Sequence, residues 1–160
     1  MPSRRASEHL SVRKPPIAQE FRIVESRLKQ HGKHPFSTWH LLGTGSVGSQ
    51  TLTGVPVVRR LRYHPDLAAR TRIWPFETGL TNDPTRHHHD AIVIAEVWPS
   101  AIPHDPTLHH VKDACQVMTL ANHYAQLDAG GDLAAHFRPA LTPEQERCVV
   151  GEEAWILAVT

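Results

Sequence analysis

A chain of 160 residues, 40% hydrophobic and 21% charged with a formal net charge of +1, is long enough for one domain with a conventional core, since about 150 residues bury roughly 68–70% of their unfolded surface. No apolar run reaches the ~18 residues of a membrane-spanning helix, the longest strand-like stretch being broken by Glu96, so a soluble protein with no membrane partner is expected. The 13 prolines point to short elements joined by stiff loops rather than a simple helical bundle.

Residues 1–33 hold eight Lys/Arg against three Asp/Glu, whereas residues 34–160 hold nine against thirteen, so a basic head precedes a mildly acidic body. The head contains Arg4, Arg5, Arg13 and Lys14 without the apolar run of an export signal. Cys115 and Cys148 lie far apart in helix-like segments, the usual setting of free thiols in a reducing compartment. Both observations predict a cytoplasmic location. Residues 1–17, polar and ending in Pro15-Pro16, are expected to form a disordered basic lead, followed by a single α/β domain over 18–160.

From Gln19 to Gln30, Phe21, Val24 and Leu28 recur at three- and four-residue spacing, and Gly32 follows as a stop, which predicts a short amphipathic helix. A strand is expected over 37–42, then a glycine-rich turn over 43–49 leading into a helical segment with Leu52, Val55, Val57, Val58 and Leu61. Pro56 suits a first helical turn, so this helix is expected to start anew after Thr53 or Gly54. Pro65-Asp66 opens a turn before a strand over 72–77. Residues 81–90, polar and containing Pro84 and His87-His88-His89, form an exposed loop, and 91–98 is the clearest strand. The stretch 108–127 aligns Val111, Cys115, Met118 and Tyr124 on one helical face and stops at Gly130-Gly131. Thr142-Pro143-Glu144-Gln145 is a capping box with proline at the first helical position. It announces a last helix whose core face is Val149, Val150, Ala154, Ile156 and Leu157.

Chemistry concentrates on isolated acids. Glu77 and Glu96 each stand alone in an apolar, tryptophan- and proline-flanked run, where a buried carboxylate costs several kcal/mol unless it is paired or bound to a cation. Each is an exposed strand end or part of a site. At about 100° per residue, one of Glu152 and Glu153 turns near the apolar face of the last helix, the other and slightly favoured reading being an exposed pair. Arg59, Arg60 and Arg72 precede the Glu77 run, and Lys112 opens the long helix. Such basic groups hold a phosphodiester while acids hold Mg²⁺, the other reading being a solvated helix face. The Gly43–Gly48 pattern GxGxxG fits a phosphate cradle, but polar His40 before it and Gly54-Val55-Pro56 after it favour a structural turn; a nucleotide-binding module is the alternative. The histidine runs lack any recognised zinc spacing.

With these residues placed, the chain resembles the C-terminal half of an uncharacterised bacterial family predicted to be nucleases of ribonuclease H-like fold, some members of which carry labels from cobalamin or molybdopterin cofactor synthesis. The resemblance rests on GTGSVGSQTLTGVP (43–56), WPFETGL (74–80), AEVWPS (95–100), KDACQV (112–117) and EEAWIL (152–157). It implies a partial ribonuclease H-like fold, a small mixed sheet covered by helices. It also implies a site in which Glu96 and Glu153 hold Mg²⁺ or Mn²⁺, with Glu152 and Glu77 as further acids, acting on nucleic acid. Family members carry ahead of this region a first strand with its aspartate, so the resemblance implies a catalytically incomplete or inactive chain. Self-association, or pairing with another chain that supplies the missing half, follows from the same absence; a non-catalytic fragment is the remaining alternative.

Overall fold

The computed structural model describes residues 19–43, 45–86 and 90–160; the expected basic lead, Thr44 and His87-His88-His89 lie outside them. Among these residues the protein is mixed α/β, with helices and one small two-stranded parallel sheet. It divides into two compact units, one reaching Thr71 and one running from Arg72 to Thr160.

In the first unit, α1 spans Ile23–Gln30. The Arg22 backbone N–H and Nε each donate to the Glu25 carboxylate at 2.8 Å, a nearly buried pairing that fixes the helix start. Val24 and Leu28 are buried, and Lys29 Nζ lies 3.7 Å above the Phe21 ring. Gly32 ends the helix at φ +71° with its N–H on the Lys29 carbonyl, the stop its position predicted.

The expected strand over 37–42 is instead a turn. The Ser37 hydroxyl accepts from Trp39 N–H and donates to the Glu20 carbonyl at 2.6 Å, and His40 N–H closes on the Ser37 carbonyl. A serine that satisfies the local backbone in this way removes the donors a ladder would need. Gly43 and Gly45 take positive φ, and a Cβ on Gly45 would strike the Phe36 ring. A Cβ on Gly48 would meet the Thr38 carbonyl and Leu41, so only glycine lets the helix approach this turn.

Helix α2 then runs unbroken over Val47–Arg62 with Pro56 inside it, contrary to the expected restart. Proline deprives the Leu52 carbonyl of its helical donor, and the Thr51 and Thr53 hydroxyls bond back to Val47, Ser49 and Gln50 carbonyls one turn earlier. Successive turns over 63–70 lead into β1.

Strand β1 covers Thr71–Ile73 and β2 covers Ile92–Ile94, each shorter than expected. The 72–77 strand stops at Trp74 because Pro75 has no N–H and the chain turns, with Glu77 N–H on the Ile73 carbonyl at 2.8 Å. Beyond β2 the ladder shrinks to one parallel bridge between Glu96 and Ile156. Helix α3 spans Lys112–Gly130 and ends at Gly131 in the left-handed conformation, as the glycine pair predicted. A 3₁₀ turn follows over Leu133–Phe137.

Helix α4, Pro143–Cys148, has the expected box, with Gln145 N–H on Thr142 Oγ1 at 3.2 Å and Thr142 N–H on Gln145 Oε1 at 3.0 Å. The rest of the expected last helix is different. A π turn occupies Val149–Glu153, Ala154 adopts φ 61° and ψ −173°, and Ile156 lies in the bridge with Glu96. The core of this second unit gathers Trp74, Cys115, Leu120, Val149, Trp155 and Ile156. The Trp74 ring meets Phe137 edge-on at 5.5 Å and donates through Nε1 to the Phe137 carbonyl at 3.2 Å.

Candidate functional site

Glu96 and the Glu152-Glu153 pair approach through the backbone. The Leu157 N–H donates to the Glu96 carbonyl at 2.9 Å, and Ile156, three residues beyond Glu153, pairs with Glu96 in the bridge. Trp155, fully buried, anchors this segment and donates through Nε1 to the Val159 carbonyl at 2.9 Å. The Tyr124 hydroxyl ties the segment to α3 by donating to the Leu157 carbonyl at 3.1 Å. Burial pushes that phenol above its ordinary value, which keeps it a donor.

The expectation that Glu96 lies inside a strand is corrected to a position just past β2. Glu96 and Glu152 are exposed and Glu153 is half-buried. Glu153 sits in the π turn instead of on a regular helix face, so its direction does not follow from 100° periodicity.

Glu77 has a different task. Its Oε2 accepts from the Ile73 N–H at 2.7 Å, closing the turn that ends β1, and the residue is exposed. The basic candidates belong to separate elements. Arg59 and Arg60 share the last turn of α2 in the first unit, and Arg59 lies 5.7 Å from the Tyr63 ring centre. Arg72 is in β1, and Lys112 is the exposed first residue of α3.

Cys148 is the group beside the acids that sequence reasoning did not place there. Burial, and then the charges of Glu153 and Glu152, raise its thiol above the ordinary value, and a hydrogen bond with Glu153 acts in the same sense. The signal was present in the spacing: Cys148 precedes Glu152 by four residues and Glu153 by five, about one turn.

Among the described residues, no group of three or more His, Cys, Asp or Glu side chains is arranged to hold a metal ion. Carboxylates are the right donors for a hard divalent cation, which one or two of them can hold while it keeps several waters. The glycine turn before α2 follows a serine-based turn and not a strand, so it lacks the strand–turn–helix setting of a dinucleotide cradle. No helix among the described residues is long and apolar enough to cross a membrane. No protein family, curated protein or solved structure matches the chain.

Proposed function

We propose that the second unit carries part of a metal-dependent nuclease site of ribonuclease H-like type, incomplete as a catalyst by itself. The observation that supports this reading is the Glu96–Ile156 bridge, which sets the Glu96 backbone alongside the segment carrying Glu152 and Glu153 although some 55 residues separate them in sequence. Glu96 and Glu153 are the carboxylates for Mg²⁺ or Mn²⁺, and Arg72 and Lys112, in the same unit, are its basic groups for a nucleic-acid phosphate. A divalent ion bound there would polarise the phosphate and generate a hydroxide nucleophile. Hard cations of this kind take about six oxygen ligands, so beside two carboxylates the remaining positions fall to water, to the nucleic-acid phosphate or to another polypeptide, and no hydrolytic step is assigned to this chain alone.

The test is a calorimetric Mn²⁺ titration of the purified chain beside Glu96→Gln, with a cleavage assay on single-stranded, duplex and hybrid substrates. The expected result is weak Mn²⁺ binding, with Kd on the order of 1 mM, that Glu96→Gln weakens further, and no cleavage. Binding indifferent to Glu96→Gln removes the shared-metal reading. Metal-dependent cleavage lost in Glu96→Gln shows a working site and overturns incompleteness.

A further inference from the structure

The two units carry opposite charge: residues 1–71 contain twelve Lys/Arg against four Asp/Glu, and residues 72–160 contain five against twelve. Helix α2 displays this contrast together with apolar surface. Leu52 and Val55 are 65% and 57% exposed, and with Arg59 they fall at i, i+3 and i+7, a single stripe with exposed Arg60 beside it. Only Gly48 of its sixteen residues is buried. A helix with so little cover and this much exposed aliphatic surface resembles one half of an interface.

Helix α3 presents the complementary stripe. Asp113, Val117, Ala121 and Asp128 lie at i, i+4, i+8 and i+15, all exposed, with Val117 at 60%. Alanine at the centre allows close approach, valine adds apolar area, and aspartates stand at both ends.

We propose that α2 of one copy of this chain docks antiparallel on α3 of a second copy. Antiparallel alignment sets the C-terminal turn of α2 against the N-terminal turn of α3, which pairs their dipoles favourably. In that register Arg59 faces Asp113, Val55 faces Val117 and Leu52 sits over Ala121. The separations agree: seven residues from Leu52 to Arg59 and eight from Asp113 to Ala121, or roughly 10–12 Å at 1.5 Å per residue. Nucleic acid would engage the arginines but leave Leu52 and Val55 in water, whereas an acidic, apolar helix satisfies both. A single helix pair falls at the small end of specific interfaces, so affinity is expected in the micromolar range.

The experiment is sedimentation velocity of the full chain across a concentration series at about 0.05 M and about 0.5 M salt. The wild type is expected to self-associate at low salt and to weaken about tenfold at high salt. The variant Arg59→Glu and the variant Asp113→Lys are each expected to remain monomeric, because each sets like charges together at the α2–α3 contact, and mixing the two to restore a complex in which every such contact again joins opposite charges. Restoration by mixing cannot arise from variants that failed to fold. A wild type that stays monomeric throughout, association that survives in both variants, or a mixture that stays monomeric overturns the proposal.

Discussion

Helix α2 runs for sixteen residues without a break and buries only Gly48. Residues 149–159, by contrast, contain a π turn, two alanines at positive φ and one β-bridge, yet Val149, Trp155, Ile156, Leu157 and Val159 all reach the core. The difference shows that backbone regularity and core formation are separate matters. An α-helix satisfies its own N–H and C=O groups and can stand clear of other elements, needing cover only for its side chains. An irregular segment must find partners elsewhere, and here Leu157 finds Glu96, Tyr124 finds Leu157, and Trp155 finds Val159.

The sharpest test of this contrast is truncation on each side of it. Trp155→Ala, at a fully buried position, is expected to cost about 3–5 kcal/mol in urea unfolding. Leu52→Ala on α2 should change stability by less than about 0.5 kcal/mol. Equal losses at the two positions would break the comparison. Gly48→Ala comes next, because the added carbon meets the Thr38 carbonyl, which is backbone and cannot swing away. A loss of about 1–3 kcal/mol is expected, confined to probes of the first unit such as Trp39 fluorescence.

A smaller effect of opposite sign is expected at Ala154, whose φ of 61° with ψ of −173° falls in a region almost reserved for glycine. Ala154→Gly relieves that strain but adds disorder to the unfolded chain, leaving a net gain of up to about 1 kcal/mol in thermal unfolding. Destabilisation would show that the alanine methyl contributes more by packing than its backbone costs.

The smallest expected effect is chemical. Because its surroundings raise the Cys148 thiol above 9.0, the folded chain holds that proton more tightly than the unfolded chain does. The associated stability is intact below pH 9 and is lost as pH rises through the higher folded value. Iodoacetamide should therefore modify Cys148 slowly at pH 8, and Glu153→Gln should accelerate the reaction by lowering the thiol's pKa. A rate at pH 8 unaffected by Glu153→Gln would remove Glu153 from the account.

What could be read in advance was local. The Thr142–Gln145 box, the stops at Gly32 and Gly131, and the amphipathic stretch that became α3 each depend on neighbours within about one turn. Strand lengths could not be read in this way. Residues 72–77 and 91–98 have β-prone side chains, but a ladder extends only as far as its partner supplies donors, and Pro75 and the departure of the chain after Ile94 end it early. The proximity of Glu96 to the Glu152-Glu153 segment rests on a single long-range bridge that no periodicity encodes. Pro56 within α2 and the π turn after Cys148 departed from expectation for one shared reason: a helix tolerates a lost or displaced hydrogen bond when side-chain hydroxyls or buried residues hold the adjoining turns.

The bond from Trp74 to the Phe137 carbonyl closes across 63 positions, and the Glu96 pairing with Ile156 and Leu157 spans nearly as many. These pairings close long loops, and that closure must be completed before the contacts they bring give any return. On the ribosome, Trp74 waits for Phe137, and Glu96 for Ile156 and Leu157, until those residues have been synthesised. Folding of the second unit is therefore expected to wait for its distal residues, with loop closure as its slow step.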